Sequence, residues 1–73
     1  MGIIDVKFTK PRADYAVIRV EDYPEIDPET EDGRDRFTLL AAHVHDEAAV
    51  RHICITRDGT TIGELIFLPP RLH

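Results

Sequence analysis

Two short stretches of this chain pair residue types that bind metals, His43-Val44-His45 and His52-Ile53-Cys54. On a β-strand, side chains two apart point to one face. Two such strands laid together would therefore offer four ligands to a tetrahedral zinc ion. That arrangement needs both stretches to be strands. On a helix His43 and His45 would diverge by about 200°, while His45 and His52, seven residues apart, would share a face. The plainer account is a partly buried histidine and a core cysteine. Cys54 with His52 or His45 as base would make a thiol nucleophile. Flanked by Ile53 and Ile55, however, it reads as a packing residue, because a reactive thiol needs an exposed, electropositive setting.

Glu64 is the other residue of interest, an acid in the middle of the apolar run Ile62 to Leu68. It reads as the partner of Arg51 or of a second copy, or as an anchoring acid in a cleft. The remaining acids are concentrated elsewhere. Residues 21–35 hold eight acids and one base, a net −7, whereas the rest of the chain is +2. Within this segment, Asp27 to Gly33 has the look of a calcium loop. The glycine falls one place late, and Thr38 stands where a bidentate Glu is needed. The segment is instead expected to be an acidic loop, broken by Pro24 and Pro28, with a turn at Asp32-Gly33. Glu25, Asp27, Glu29, Glu31 and Asp32 are its candidate partner-binding residues, facing a basic protein surface. Such a field steers encounter more than it adds affinity.

The elements that must position these groups follow from the hydrophobic pattern. Ile4, Val6 and Phe8 alternate with polar residues as a strand, and Lys10-Pro11-Arg12-Ala13 reads as a turn into a second strand, 15–20. Phe37, Leu40, Ala41, Val44 and Ala48 follow helical spacing, which predicts a helix within 35–52 capped by Asp35. The competing reading of Phe37 to His45 is a buried strand. Asp58-Gly59 marks a tight hairpin between 53–56 and 61–68, ended by Pro69-Pro70. In a regular ladder from that turn, Ile55 would face Ile62, Ile53 would face Glu64 and Arg51 would face Ile66. Thr56 would face Thr61, Cys54 would face Gly63 and His52 would face Leu65 on the other side. Both faces would then be apolar, so a helix would cover one and a second subunit the other.

The expected fold class is α+β: a small antiparallel sheet of two hairpins with one helical segment in the middle third, the alternative being an all-β five-stranded barrel. With 73 residues, residues 1–73 form a single small domain. One cysteine excludes an internal disulfide. No apolar run is long enough for a membrane span, and Met1 to Lys10 lacks a signal-peptide layout, which points to the cytoplasm. The acidic balance, the absence of Trp and the scattered arginines make nucleic acid an unlikely partner.

Two segments also resemble a known family. Lys10 to Val20 resembles the opening of a family of small uncharacterised bacterial proteins, a domain of unknown function. That family opens on an Asp-Pro-Glu-Ala-Asp-type turn into a strand. Asp58-Gly59-Thr60-Thr61-Ile62-Gly63-Glu64-Leu65 resembles its closing hairpin. Together they cover about 20 of 73 residues. The family's usual strand tyrosine is Val17 here, and Glu21 to His52 is longer than its middle. The resemblance implies a small sheet-based fold and no activity.

The function expected from the sequence is a non-catalytic protein-binding or regulatory module without a cofactor, working as a homodimer. A phage- or mobile-element-type inhibitor, including a nucleic-acid mimic, is one form of it. One alternative is a small zinc protein using His43, His45, His52 and Cys54. The other is a ligand-binding domain or enzyme with its site between subunits.

Overall fold

The helix is built by its ends and by one apolar face. Glu31–Ala48 (α1) starts at Thr30, whose Oγ1 accepts the Gly33 N–H at 2.9 Å, with Glu31 and Asp32 in the first turn facing the positive end of the helix dipole. It stops at Ala49, which takes the left-handed conformation (φ 56°) and donates its N–H to the His45 carbonyl. A non-glycine residue there costs about 1 kcal/mol. Phe37, Ala41 and Val44 are buried on one face, with Leu40 and Ala48 packed beside them. These are the five positions of the helical spacing.

The structure, a computed structural model, describes residues 6–68. It is an α+β domain, one helix on a four-stranded sheet in the order β1-β2-β3-β4. The strands are Thr9–Arg12 (β1), Tyr15–Arg19 (β2), His52–Arg57 (β3) and Thr60–Ile66 (β4), and a 3₁₀ turn, Val20–Asp22, follows β2. β1 and β2 form one antiparallel hairpin, β3 and β4 the other. The two hairpins join through a parallel β2–β3 pair, so the sheet is mixed and not antiparallel throughout. The reason is the connection. A parallel neighbour needs a long crossover, and α1 with its flanking turns supplies one. Among the described residues nothing closes the sheet, and its four open strands are not the five-stranded barrel.

Three local expectations are corrected. Among the described residues the first strand is Thr9–Arg12; Val6 to Phe8 are not in it, and Ile4 and Asp5 of the expected run lie outside the described residues. Pro11 is accommodated because, among the described residues, β1 is an edge strand with no second neighbour to donate to. Thr30, and not Asp35, caps the helix, so the segment 21–35 is not one loop. It begins in the 3₁₀ turn and ends in the first turns of α1. Gly33 belongs to the helix and not to a turn. A Cβ there would overlap the Asp27 carbonyl oxygen, so the chain can pass only where there is no side chain. Pro69-Pro70 lies outside the described residues, and β4 ends at Ile66.

The register of the last hairpin carries the most consequence. Asp58 and Gly59 both have positive φ (52° and 79°), which suits a two-residue hairpin turn. Arg57 pairs with Thr60 and Thr56 with Thr61, as a regular ladder from that turn requires. The register then shifts by one residue, so that Ile55 pairs with Gly63, Cys54 with Glu64, Ile53 with Leu65 and His52 with Ile66. Ile62 is the extra residue of a β-bulge. A one-residue shift turns every later side chain to the other face. Leu65, paired with Ile53, now packs against the core beneath α1, and Glu64 moves to the opposite face beside Cys54.

The core lies between α1 and one face of the sheet. Ala16, Ile18, Ile53 and Ile55 meet Phe37, Ala41 and Val44 there, all buried. Each of the larger side chains contributes about 1.5–3 kcal/mol by leaving water. The opposite face carries Tyr15, Val17, His52, Cys54, Thr56, Glu64 and Ile66. It still carries the apolar residues Tyr15, Val17, Cys54 and Ile66, while the bulge sends Leu65 inward and sets Glu64 among them.

Candidate metal centre

β3 places His52 and Cys54 two residues apart on the open face, as strand geometry requires. Through the bulge, β4 adds Glu64 directly across from Cys54. One atom of each residue converges on the same point. His52 Nε2 lies 2.5 Å from Glu64 Oε2, Cys54 Sγ lies 3.7 Å from His52 Nε2, and the thiol donates to Glu64 Oε2 over 3.7 Å. The three candidate ligand atoms all fall within 4.8 Å of one another.

That convergence separates two chemistries. A nucleophile–base–acid relay needs both nitrogens of its histidine, one toward the nucleophile and the other toward the orienting carboxylate. Here the single Nε2 meets both the thiol and the carboxylate, so no relay runs through the ring. A nitrogen, a sulfur and an oxygen aimed at one point is instead the donor set of a soft-to-borderline metal ion. With ordinary zinc bond lengths and tetrahedral angles, sulfur should stand about 3.6 Å from each of the other ligands, and nitrogen about 3.3 Å from oxygen. The two sulfur distances already match. Only the hydrogen-bonded His52–Glu64 pair has to open, by roughly 0.8 Å. Both side chains have room to do so, being 37% and 51% exposed.

The surroundings hold the cluster in place. Cys54 is buried, with 3% of its surface exposed, so its position is set by packing. The Tyr15 ring meets the His52 ring edge-on at 4.9 Å, and the Arg12 guanidinium lies 5.5 Å from the centre of the Tyr15 ring. A hydrogen bond with Cys54, together with some loss of solvation, pushes the Tyr15 phenol pKa above its ordinary value. Tyr15 thus holds its proton beside the sulfur. Arg12, Asp14, Tyr15, Thr61 and the three cluster residues line a cleft of about 440 Å³.

Of the four residues in the zinc set read from the sequence, the fold brings together His52 and Cys54. His43 and His45 lie on α1, outside the cluster. His45 instead fastens the end of the helix, with Nδ1 2.8 Å from the Val50 carbonyl and the ring stacked on Phe67 at 4.3 Å. The third member, Glu64, was visible as an oddly placed acid, but a regular ladder would have aimed it at Ile53. Gly63 was the signal for its true position, since a lone glycine inside a strand pattern often marks a bulge. Tyr15 and Arg12 carried no such signal, because their nearness to β3 depends on the parallel join.

The acidic residues of 21–35 are arranged differently. Glu25 and Glu31 are exposed, the latter in the first helical turn. Asp27 Oδ1 accepts the Glu29 N–H at 2.9 Å, and the Asp27 carbonyl accepts the Thr30 hydroxyl at 3.0 Å. Glu29 pairs with Arg57 at 2.9 Å, and Asp32 with Arg36 at 3.2 Å, one turn along the helix.

Comparison with family models, with curated proteins and with solved structures returns no match to this chain. The two segments that carry the family resemblance lie in the first hairpin and in the turn and strand of the second. Among the described residues no helix is long and apolar enough to cross a membrane.

Proposed function

We propose that this protein binds a divalent transition-metal ion, zinc by preference, through His52 Nε2, Cys54 Sγ and a Glu64 carboxylate oxygen. The observation that carries the reading is the convergence of those three atoms, with both sulfur distances already at the spacing of zinc ligands. Sulfur and nitrogen donors favour zinc over calcium or magnesium, which take oxygen. Three protein ligands on an exposed face leave a fourth position open to solvent. The acidic segment supports a protein-binding role less well, because Asp27, Glu29 and Asp32 already have partners within the chain.

The test is metal analysis of protein prepared without chelator, followed by zinc titration of the stripped protein. About one equivalent is expected, with Cys54→Ser weakening affinity by about a hundredfold or more. Less than about 0.1 equivalent, with no uptake on titration, would remove the reading.

A further inference from the structure

The metal centre opens onto a cleft whose walls are unequal. On one side stand the three ligands; on the other stands the Arg12–Tyr15 pair, cation over ring. We propose that the open coordination position takes a small oxyanion, a carboxylate or phosphate group, one oxygen on the metal and another on the Arg12 guanidinium. This rests on the metal reading above and goes beyond it by naming the ligand.

Charge and donor geometry both support this assignment. A divalent ion bound by one thiolate and one carboxylate is neutralised, so any further anion needs a cation nearby. Among the described residues, Arg12 is the one base lining this cleft, and its guanidinium lies against the Tyr15 ring and not against a carboxylate. Its planar fork of N–H groups matches two oxygens of a carboxylate or phosphate, which a point charge would not. Asp14, the other acid on the rim, is turned to the Arg51 backbone, accepting that N–H at 3.0 Å. It tempers the attraction, so the binding expected is weak, on the order of millimolar. The ring contacts set the spacing. Arg12 rides on Tyr15, Tyr15 abuts His52, and the guanidinium is thereby held on the ligand side of the sheet without touching the ligand atoms.

Cobalt(II) in place of zinc makes the site visible, through a sulfur-to-cobalt charge-transfer band and visible bands that report coordination. Acetate and inorganic phosphate are titrated separately into the cobalt-loaded full chain. The visible bands should change saturably with one or both anions while the charge-transfer band persists; the anion that acts identifies the oxyanion as carboxylate or phosphate. In Arg12→Ala the half-saturating concentration should rise about tenfold, and Arg12→Lys should recover only part of it. Arg57→Ala, which removes an equal charge at the far hairpin turn, should leave the response as it is.

Bands unmoved by either anion, or moved equally in Arg12→Ala, overturn the inference while leaving the metal reading intact. An equal loss in Arg57→Ala also overturns it, as a mere effect of net charge. Loss of the charge-transfer band on adding anion shows the metal being stripped and counts against it. A protein that never develops that band fails the metal reading itself, and this inference with it.

Discussion

The open face of the sheet and the segment 21–35 both offer carboxylate to a cation, yet only one of them assembles a site. The segment has eight acids in fifteen residues, the open face a single Glu64 in its cluster. In the segment, several acids serve the chain itself: Asp27 closes a local turn, Asp32 reaches along the helix, and Glu29 ties the segment to β3 through Arg57. On the open face three different donor atoms are aimed at one point by two rigid, paired strands. Density of charge is a property of composition, whereas convergence is a property of register. Metal chemistry needs the second.

The contrast can be broken from either side. The largest effect is expected at Gly33, where the acidic segment turns into α1. In Gly33→Ala the new Cβ would meet the Asp27 carbonyl, so the cap at Thr30 has to move. A loss of about 2–3 kcal/mol is expected, read as a fall of roughly 10–20 °C in thermal midpoint. A midpoint unchanged by this substitution would mean that the segment is not held as described.

Next in size is a comparison of carboxylates by zinc titration. Glu64→Gln should weaken zinc binding by about tenfold or more. Neutralising Glu25, Asp27, Glu29, Glu31 and Asp32 together should change it by no more than about twofold, since none of them belongs to the ligand cluster and exposed charges act only weakly through solvent. The reverse ranking would make the acidic segment the cation site and undo the contrast drawn above.

The smallest effect concerns Glu21, which opens the segment. Its Oε2 accepts the Asp58 N–H of the β3–β4 turn, and that bond holds its carboxyl pKa below the ordinary 4.5. A depressed folded pKa gives stability that is present above the ordinary value and lost as pH falls through the lowered one. Glu21→Gln should therefore lower the urea midpoint slightly at pH 7, and the gap should close below pH 4.5 as the wild-type carboxyl takes up its proton. A gap that persisted unchanged in acid would show that the anion is not what matters there.

Much of the frame could be read from the residues alone. The strand from Tyr15, which ends at Arg19 and not at Val20, the helical face of Phe37, Ala41 and Val44, and the Asp58-Gly59 turn all follow from local pattern. So does the pairing of His52 with Cys54 on one face, which depends only on strand geometry. What failed to show were features set by partners distant in sequence. Pro11 looked like a breaker because nothing local says that β1 is an edge strand. The parallel join of β2 and β3 depends on where the long connection returns. In a regular ladder Glu64 falls on the wrong face, and one extra residue in β4 is enough to make the difference. His43 and His45 matched a ligand pattern by type but sit on a helix, where the two-residue spacing carries no meaning.

The β4 bulge also bears on how this hairpin tolerates changes of length. If Ile62 were deleted, Thr61 would still pair with Thr56, Gly63 with Ile55 and Glu64 with Cys54, in an unbroken ladder. The three ligand atoms would keep their strands and their face. A chain one codon shorter at this place would thus preserve the metal chemistry, although an alignment of the two would show a gap beside the site. The same deletion on the other side of Glu64, at Leu65, would leave its own pairing untouched and instead take from the strand the side chain that packs against the core, turning Ile66 from the open face into its place. In this hairpin, the position of a deletion decides whether it disturbs the core or leaves both core and metal site in register.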